Sequence, residues 1–154
     1  IAGARLSGKI SDKMRLGFLN MLTDEDVKNE VASNNNTVVS LQQSVFSRSN
    51  LKFLFINRQT VKDYDFISSD EKFNRMLGLE YDLNSKDNVW KGRFFAYKSF
   101  SPIQNEKSMS GGVQFSRETR HQNINLEYAF IGDDFKADLG ILRRVGVMKF
   151  SPLL

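Results

Sequence analysis

Apolar and polar residues alternate along most of this chain with a period of two, as in β-strands that present one apolar face. In residues 2–10, Ala2, Ala4, Leu6, Gly8 and Ile10 share one parity, while Gly3, Arg5, Ser7 and Lys9 share the other. Residues 14–22 set Leu16 and Phe18 against Arg15 and Gly17, although Leu19 and Met21 fall on the polar parity. In the third segment, Val39, Leu41, Gln43 and Val45 oppose Val38, Ser40, Gln42 and Ser44. In the fourth, Leu51, Phe53 and Phe55 oppose Lys52, Leu54, Ile56 and Arg58. Later segments are more regular. Leu77, Leu79, Tyr81 and Leu83 alternate with Gly78, Glu80 and Asp82, and Trp90, Gly92, Phe94 and Ala96 alternate with Lys91, Arg93, Phe95 and Tyr97. Gly111, Val113 and Phe115, then Ile124, Leu126, Tyr128 and Phe130, extend the pattern through two more strands. Residues 135–142 are a ninth candidate, reached through Gly132-Asp133-Asp134, and residues 145–150 begin a tenth. Pro102 and Pro152 interrupt no strand on this reading. Residues 23–35 and 68–73 alone suit a helical turn, both inside connections.

The connections have a rhythm of their own. Ser11-Asp12-Lys13 and Ser47-Arg48-Ser49 are short turns, whereas 23–36, 59–72 and 99–108 are long polar loops. Short turns at one end and long loops at the other, over strands of about ten residues, suit a transmembrane β-barrel. The brief Gly132-Asp133-Asp134 connection breaks that rhythm near the C-terminal end. The expected fold is all-β: an antiparallel up-and-down meander of about 9–10 strands, with residues 1–154 forming one segment of a larger barrel.

Composition permits this without requiring it. Hydrophobic residues make up 40% and charged residues 26% of the 154 positions, which a barrel with a polar lumen shares with a soluble β-protein. No apolar run approaches the ~20 residues of a membrane-spanning helix. The net charge of +4 is spread over every segment rather than clustered with stacking aromatics, which argues against nucleic acid as a partner. The absence of cysteine excludes disulfides and thiolate chemistry. Ile1-Ala2-Gly3-Ala4-Arg5 lacks the basic and apolar regions of a signal peptide, so an exported chain is expected to carry further residues before it.

Few residues suggest site chemistry. His121, the single histidine, lies in the turn Arg117-Glu118-Thr119-Arg120-His121 and reads as a solvated side chain rather than a ligand or catalytic base. Asp24-Glu25-Asp26 and Asp133-Asp134 are acidic but lack the calcium-loop pattern D-x-D-x-D-G, so solvated loops are the plainer reading. Glu80 and Glu127 share the polar parity with Lys52, Arg58 and Arg93, and a mixed-charge wall accounts for all five. Gly111-Gly112 is not a phosphate loop, since no helix start with Lys-Ser/Thr follows. Trp90, Tyr81, Tyr97 and Tyr128 suit aromatic girdles at two membrane interfaces, though a soluble core would use such residues too. No catalytic, cofactor-binding or metal-binding residue is assigned, and no cofactor is expected.

Several short motifs resemble one family. These are Gly3-Ala4-Arg5-Leu6-Ser7-Gly8-Lys9, then Arg15-Leu16-Gly17-Phe18-Leu19-Asn20, Arg48-Ser49-Asn50-Leu51 and Asn57-Arg58-Gln59. Asp134-Phe135-Lys136-Ala137-Asp138-Leu139-Gly140 and Arg143-Arg144 match a later landmark. Together they resemble the C-terminal β-barrel region of large Bacteroidota proteins that carry an N-terminal, family-9-like carbohydrate-binding domain. Arg5 departs from the family's usual lysine. The resemblance spans nearly the whole chain and implies a non-catalytic segment of an outer-membrane barrel, with further strands before Ile1 and after Leu154. It also implies lipid and other outer-membrane proteins as partners, with a glycan reached through the N-terminal domain.

The expected function is therefore a wall of the bacterial outer membrane that serves transport, anchoring or assembly, with no enzymatic activity of its own. The alternatives are a soluble carbohydrate-binding module, either a sandwich or a lipocalin-like barrel, and more weakly a glycan hydrolase. Two structural expectations follow from parity and rhythm. Leu51, Phe53, Phe55, Leu79, Tyr81, Phe94, Leu126 and Tyr128 belong on one face, with Lys52, Arg58, Glu80, Arg93 and Glu127 on the other. Loops 23–36, 59–72 and 99–108 belong at one end, with the turns at Asp12, Arg48, Asp87 and Thr119 at the opposite end.

Overall fold

The computed structural model describes residues 1–103, 106–140 and 144–153. Nine strands form one antiparallel sheet in which every strand lies beside its neighbours in sequence: β1 (Ala2–Ser11), β2 (Met14–Leu22), β3 (Asn34–Val45), β4 (Ser49–Thr60), β5 (Phe73–Asn84), β6 (Trp90–Phe100), β7 (Met109–Glu118), β8 (Asn123–Ile131) and β9 (Val147–Leu153). Single 3-10 turns at Val27–Asn29 and Ser69–Glu71 occupy the two loops where the sequence allows them. Among the described residues the sheet does not close, and β1 and β9 each keep one unpaired edge.

The connections alternate between ends, because an antiparallel meander reverses direction at every strand. Loops 23–33, 61–72, 101–108 and 132–146 lie at one end, and turns 12–13, 46–48, 85–89 and 119–122 lie at the other. Two expectations change here. Residues 135–140 form no strand but belong to the fourth long loop, and residues 141–142 of that candidate lie outside the described residues. The Gly132-Asp133-Asp134 irregularity thus disappears, and the segment expected as a tenth strand is β9. Pro152, expected outside any strand, lies within β9 opposite Leu126. An edge strand tolerates this, since the missing N–H would have pointed away from the sheet.

In-register pairing carries each parity across the whole sheet. Leu16, Leu41, Phe53, Leu79, Ala96, Gly111, Phe130 and Met148 form one continuous row through β2 to β9. Leu51, Tyr81, Phe94, Val113, Tyr128 and Phe150 form the next row on the same face, here called face A. Face B carries Lys52 opposite Glu80, Asp82 opposite Arg93, and Gln114 opposite Glu127. Leu19 and Met21, which broke the parity of β2, point to face B. Leu19 heads an apolar row there with Val38, Ile56 and Met76, at the long-loop end. The charges of face B are concentrated toward the short-turn end.

The sheet buries little. Ala32, Met76 and Phe135 are the buried hydrophobic residues among those described, and no large side chain is fully enclosed. The accessible surface of 10720 Å² exceeds the roughly 7,900 Å² expected of a compact monomer of this length. Face A is open to solvent, where Leu79 is 54%, Leu51 44% and Phe150 65% exposed. Among the described residues, no second layer covers the apolar side of this sheet.

Glycines admit the larger rings of face B. A Cβ on Gly78 would stand 2.5 Å from Tyr97 Cδ1, and one on Gly112 would stand 2.7 Å from Phe95 Cζ. Each aromatic ring thus occupies the space over a cross-strand glycine. Gly78→Ala is expected to displace Tyr97 and to destabilise the sheet by about 1–3 kcal/mol. Combined with Tyr97→Ala, the loss should fall well short of the sum of the two single variants, since both act on one contact. Urea unfolding of the three variants checks this, and strict additivity would reject the packing.

Candidate functional site

Face B is the part of the molecule where charge is organised. Glu80 in β5 lies between Arg93 NH2 at 2.9 Å and Lys52 Nζ at 3.7 Å, and Tyr97 donates its hydroxyl proton to Glu80 Oε1. Lys52 also pairs with Asp82 at 2.5 Å. Farther along, Lys149 in β9 meets Glu127 in β8 at 2.8 Å, with Gln114 of β7 between Glu127 and Arg93 in the row. Cations and carboxylates thus alternate from β4 to β9. The period-two pattern alone puts these residues on one face, and the register brings opposite charges together. Glu80 retains 13% side-chain exposure, and the others in this network are wetter. Each pair therefore adds modest stability and chiefly fixes the positions of its partners.

Beside this network runs a groove of about 680 Å³, lined by Asn50, Asp82, Arg93, Gln114, Asn125 and Glu127 among others. Amides and paired charges offer both donors and acceptors, which suits hydroxylated or hydrated solutes more than apolar ones. At the β1–β2 edge of the same face, Arg5, Lys9 and Arg15 have no ion pair among the described residues.

At the long-loop end, the loop after β8 folds back over face B. Asn74 in β5 donates to Lys136 O at 3.0 Å and accepts from Asp138 N at 3.2 Å, so one amide grips the loop backbone at two points. Ser99 Oγ in β6 accepts from Lys136 N at 3.1 Å. Arg58 Nε in β4 meets Asp138 Oδ2 at 2.7 Å, while its other nitrogens donate to Asn34 Oδ1 and Glu71 O. Asn74 is 2%, Ser99 4% and Phe135 5% exposed, the tightest burial in this part of the chain. The loop therefore spans β4 to β6 across the long-loop end of face B.

A second tie links loops 23–33 and 61–72. Glu25 accepts from Lys62 Nζ at 2.8 Å and from the Tyr64 hydroxyl, and Tyr64 accepts from Ser33 N at 3.2 Å. The hydrogen bond from Lys62 first, and then that from Tyr64, holds the Glu25 carboxyl below the ordinary glutamate value. Across the tie, bonding to Glu25 raises Lys62.

The residues singled out from sequence take plain positions. His121 sits exposed in turn 119–122, and Asp26 caps the first 3-10 turn through Asn29. Asp133 pairs with Lys107 at 2.9 Å, and Asp134 accepts from Lys107 N. Glu80 and Glu127 share a face but stand three strand spacings apart, roughly 14 Å, beyond the 5–9.5 Å of a glycosidase pair. Gly111 and Gly112 lie inside β7 beneath the rings of Phe130 and Phe95. No group of three or more metal-ligating side chains occurs among the described residues. Sequence pattern did not reveal the Asn74–Ser99–Arg58 grip on the folded loop. Asparagine and serine at strand ends are too common to mark a buried contact. No protein-family model, no curated protein and no solved structure matches this chain.

Asn74→Ala removes both loop contacts and leaves a backbone carbonyl and an N–H unpaired, so a loss of about 1–3 kcal/mol is expected. Amide exchange at residues 136–138 should rise with it. Lys107→Met, which removes an exposed pair, is expected to cost less than about 1 kcal/mol. Comparable exchange in the two variants would show that the loop is held elsewhere.

The Glu25 tie predicts a pH dependence of definite sign. A carboxyl with a lowered folded-state value contributes stability above its ordinary value of 4.5 and loses it as pH falls through the lowered one. Proteolytic cleavage within Val27–Asn29 should therefore rise on acidification below pH 4.5. Lys62→Met should raise cleavage at neutral pH and flatten that dependence. An acid response unchanged by Lys62→Met would reject the tie.

Proposed function

We propose that this chain is a stretch of the wall of a bacterial outer-membrane β-barrel, without catalytic activity of its own, serving transport, anchoring or assembly with partner membrane proteins. One observation carries the reading: an apolar face free of carboxylates stays exposed across nine paired strands while the charges gather on the opposite face. Lipid tails would cover the first face and water the second. β1 to β8 run for 9–12 residues, long enough to cross a hydrocarbon core of about 30 Å at a tilt. Tyr81, Phe94 and Trp90 of face A lie toward the short turns, and Phe73 and Phe100 toward the long loops, a distribution that suits two interfacial belts. Barrel architecture would put the long loops outside the cell and the short turns in the periplasm. In hydrocarbon, the open edges of β1 and β9 would leave backbone groups unpaired, so a barrel needs neighbouring strands against both.

The motif resemblance to the Bacteroidota barrels supports the same reading and connects it to glycans through their carbohydrate-binding domain. The amide-lined groove favours a hydrophilic solute in the lumen. It is also the feature that best supports the rival reading, a soluble carbohydrate-binding module or glycan-processing domain. In that case a second protein layer would have to cover face A. No helix among the described residues is long and apolar enough to cross a membrane.

Arginine at Phe53 or Leu126, in the middle of face A, is expected to cost roughly 2–4 kcal/mol in a folding titration into lipid vesicles. Arginine at Gln42 or Asn125 on face B should be mild. Equal costs on both faces would reject the lipid-facing assignment. Epitope tags at Lys28 and Asp87 of the full-length protein, probed on intact cells, should label at Lys28 alone. Labelling at Asp87 alone would invert the orientation, and a freely soluble protein labelled at neither site would favour the rival reading.

A further inference from the structure

Face A carries charge at three of its positions, all of them cationic: Arg75, Lys98 and Arg117. Arg117 stands alone at the short-turn end, 5.3 Å over the Trp90 ring and bonded to Gln122. Arg75 and Lys98 stand together at the long-loop end. Arg75 pairs across the sheet with Phe100, and Lys98 pairs with Leu77, so the two cations are diagonal neighbours on β5 and β6. Neither has a carboxylate partner among the described residues.

Their surroundings are built to hold Arg75 outward at the edge of the apolar band. Asn57 Oδ1 accepts from Arg75 Nε at 3.0 Å, Gln59 Oε1 accepts from its NH2 at 3.4 Å, and Phe73 lies under the guanidinium at 4.5 Å. Phe55 and Leu77, in the row of Lys98, and Phe100, opposite Arg75, line a groove of about 790 Å³ together with the two cations. Glu106 also lines it, from loop 101–108 rather than from the sheet, and pairs with neither cation. Toward the short turns the next row of face A, Phe53, Leu79 and Ala96, carries no charge, so the two cations stand at the rim of an apolar band.

We propose that this groove binds an anionic lipid of the outer leaflet, with its phosphate-bearing headgroup between Arg75 and Lys98 and an acyl chain along Phe55 and Leu77. The inference rests on the membrane reading above and names a lipid partner for that wall. Charge complementarity selects the occupant. A guanidinium already oriented by two amides can take two phosphate oxygens, and a neighbouring ammonium adds a point charge. A protein partner would need to bring carboxylates to meet these cations inside an otherwise apolar face. A lipid phosphate brings its charge and its apolar body in the order the groove presents them. Leaving two cations at this edge without an anion would be costly in a layer of low dielectric.

The test uses the full-length protein in phosphatidylcholine vesicles with added bisphosphorylated lipid A, followed by extraction and native mass spectrometry. Wild type should float with the vesicles and retain lipid A, and the dephosphorylated lipid should be retained far less. The double variant Arg75→Gln, Lys98→Gln should float equally and lose about tenfold in lipid A retention, because both charge-assisted contacts are gone. Heat-modifiable gel mobility reports whether the variant is folded, and the dephosphorylated-lipid arm needs no variant. Equal retention of both lipids by wild type, or of lipid A by a folded double variant, would overturn the proposal and leave the barrel reading standing. Displacement of lipid A by inorganic phosphate at equal concentration would overturn the assignment to a lipid. Failure of wild type to float would overturn the barrel reading and this inference with it.

Discussion

In-register hydrogen bonding between sequence neighbours is the interaction on which the rest of this structure depends. A strand turns successive side chains to opposite faces, so a one-residue slip would move every apolar residue of that strand to the charged side. Eight consecutive strand pairs keep the same register sense, apart from one irregularity between Lys9 and Ser11 in β1. The result is two surfaces of different chemistry, each continuous from β2 to β9. Neither surface exists within a single strand. Both are products of alignment.

Alignment also sets the electrostatics. Lys52, Glu80, Asp82, Arg93, Glu127 and Lys149 come from five strands and would be unrelated charges in an extended chain. Across the ladder they fall in alternating sign, so the charged face is close to self-neutralising over β4 to β9 and excess positive charge collects on β1 and β2. Opposite charges directly across a sheet favour the register that pairs them, and like charges in a slipped register would oppose it. The glycines under Tyr97 and Phe95 act in the same direction, since each ring fits where its cross-strand neighbour has no side chain.

The ends of the sheet differ in purpose as well as in length. Turns 12–13 and 46–48 have little room for anything but reversal, although Arg48 bonds Asn88 across to turn 85–89 at 2.6 Å. The long loops instead build tertiary contacts: Glu25 to Lys62 and Tyr64, and Asn74, Ser99 and Arg58 to the loop after β8. Asn74 and Ser99, buried at this end, are satisfied by loop backbone, which is how they come to be among the least exposed residues. The loop that does this runs over the long-loop end of the charged face, so that end is covered by a segment outside the sheet.

Period-two alternation by itself determined that the chain is all-β, where its first eight strands lie, and which parity each residue takes. It could do so because strand geometry is local: successive side chains point to opposite sides whatever the strand later packs against. Segregated loop lengths likewise determined that the two ends of the sheet differ. Tertiary structure alone decided the rest. Residues 135–140 alternate well enough to read as a strand, yet they fold as a loop because Asn74, Ser99 and Arg58 offer their backbone and Asp138 better partners than a ninth ladder would. Leu19 and Met21 look misplaced in sequence, but an apolar row with Val38, Ile56 and Met76 receives Leu19 on the otherwise polar face. Pro152 lies within β9 opposite Leu126, a pairing that local pattern did not show. Each of these outcomes turns on a neighbour distant in sequence, and local pattern carries no information about distant neighbours.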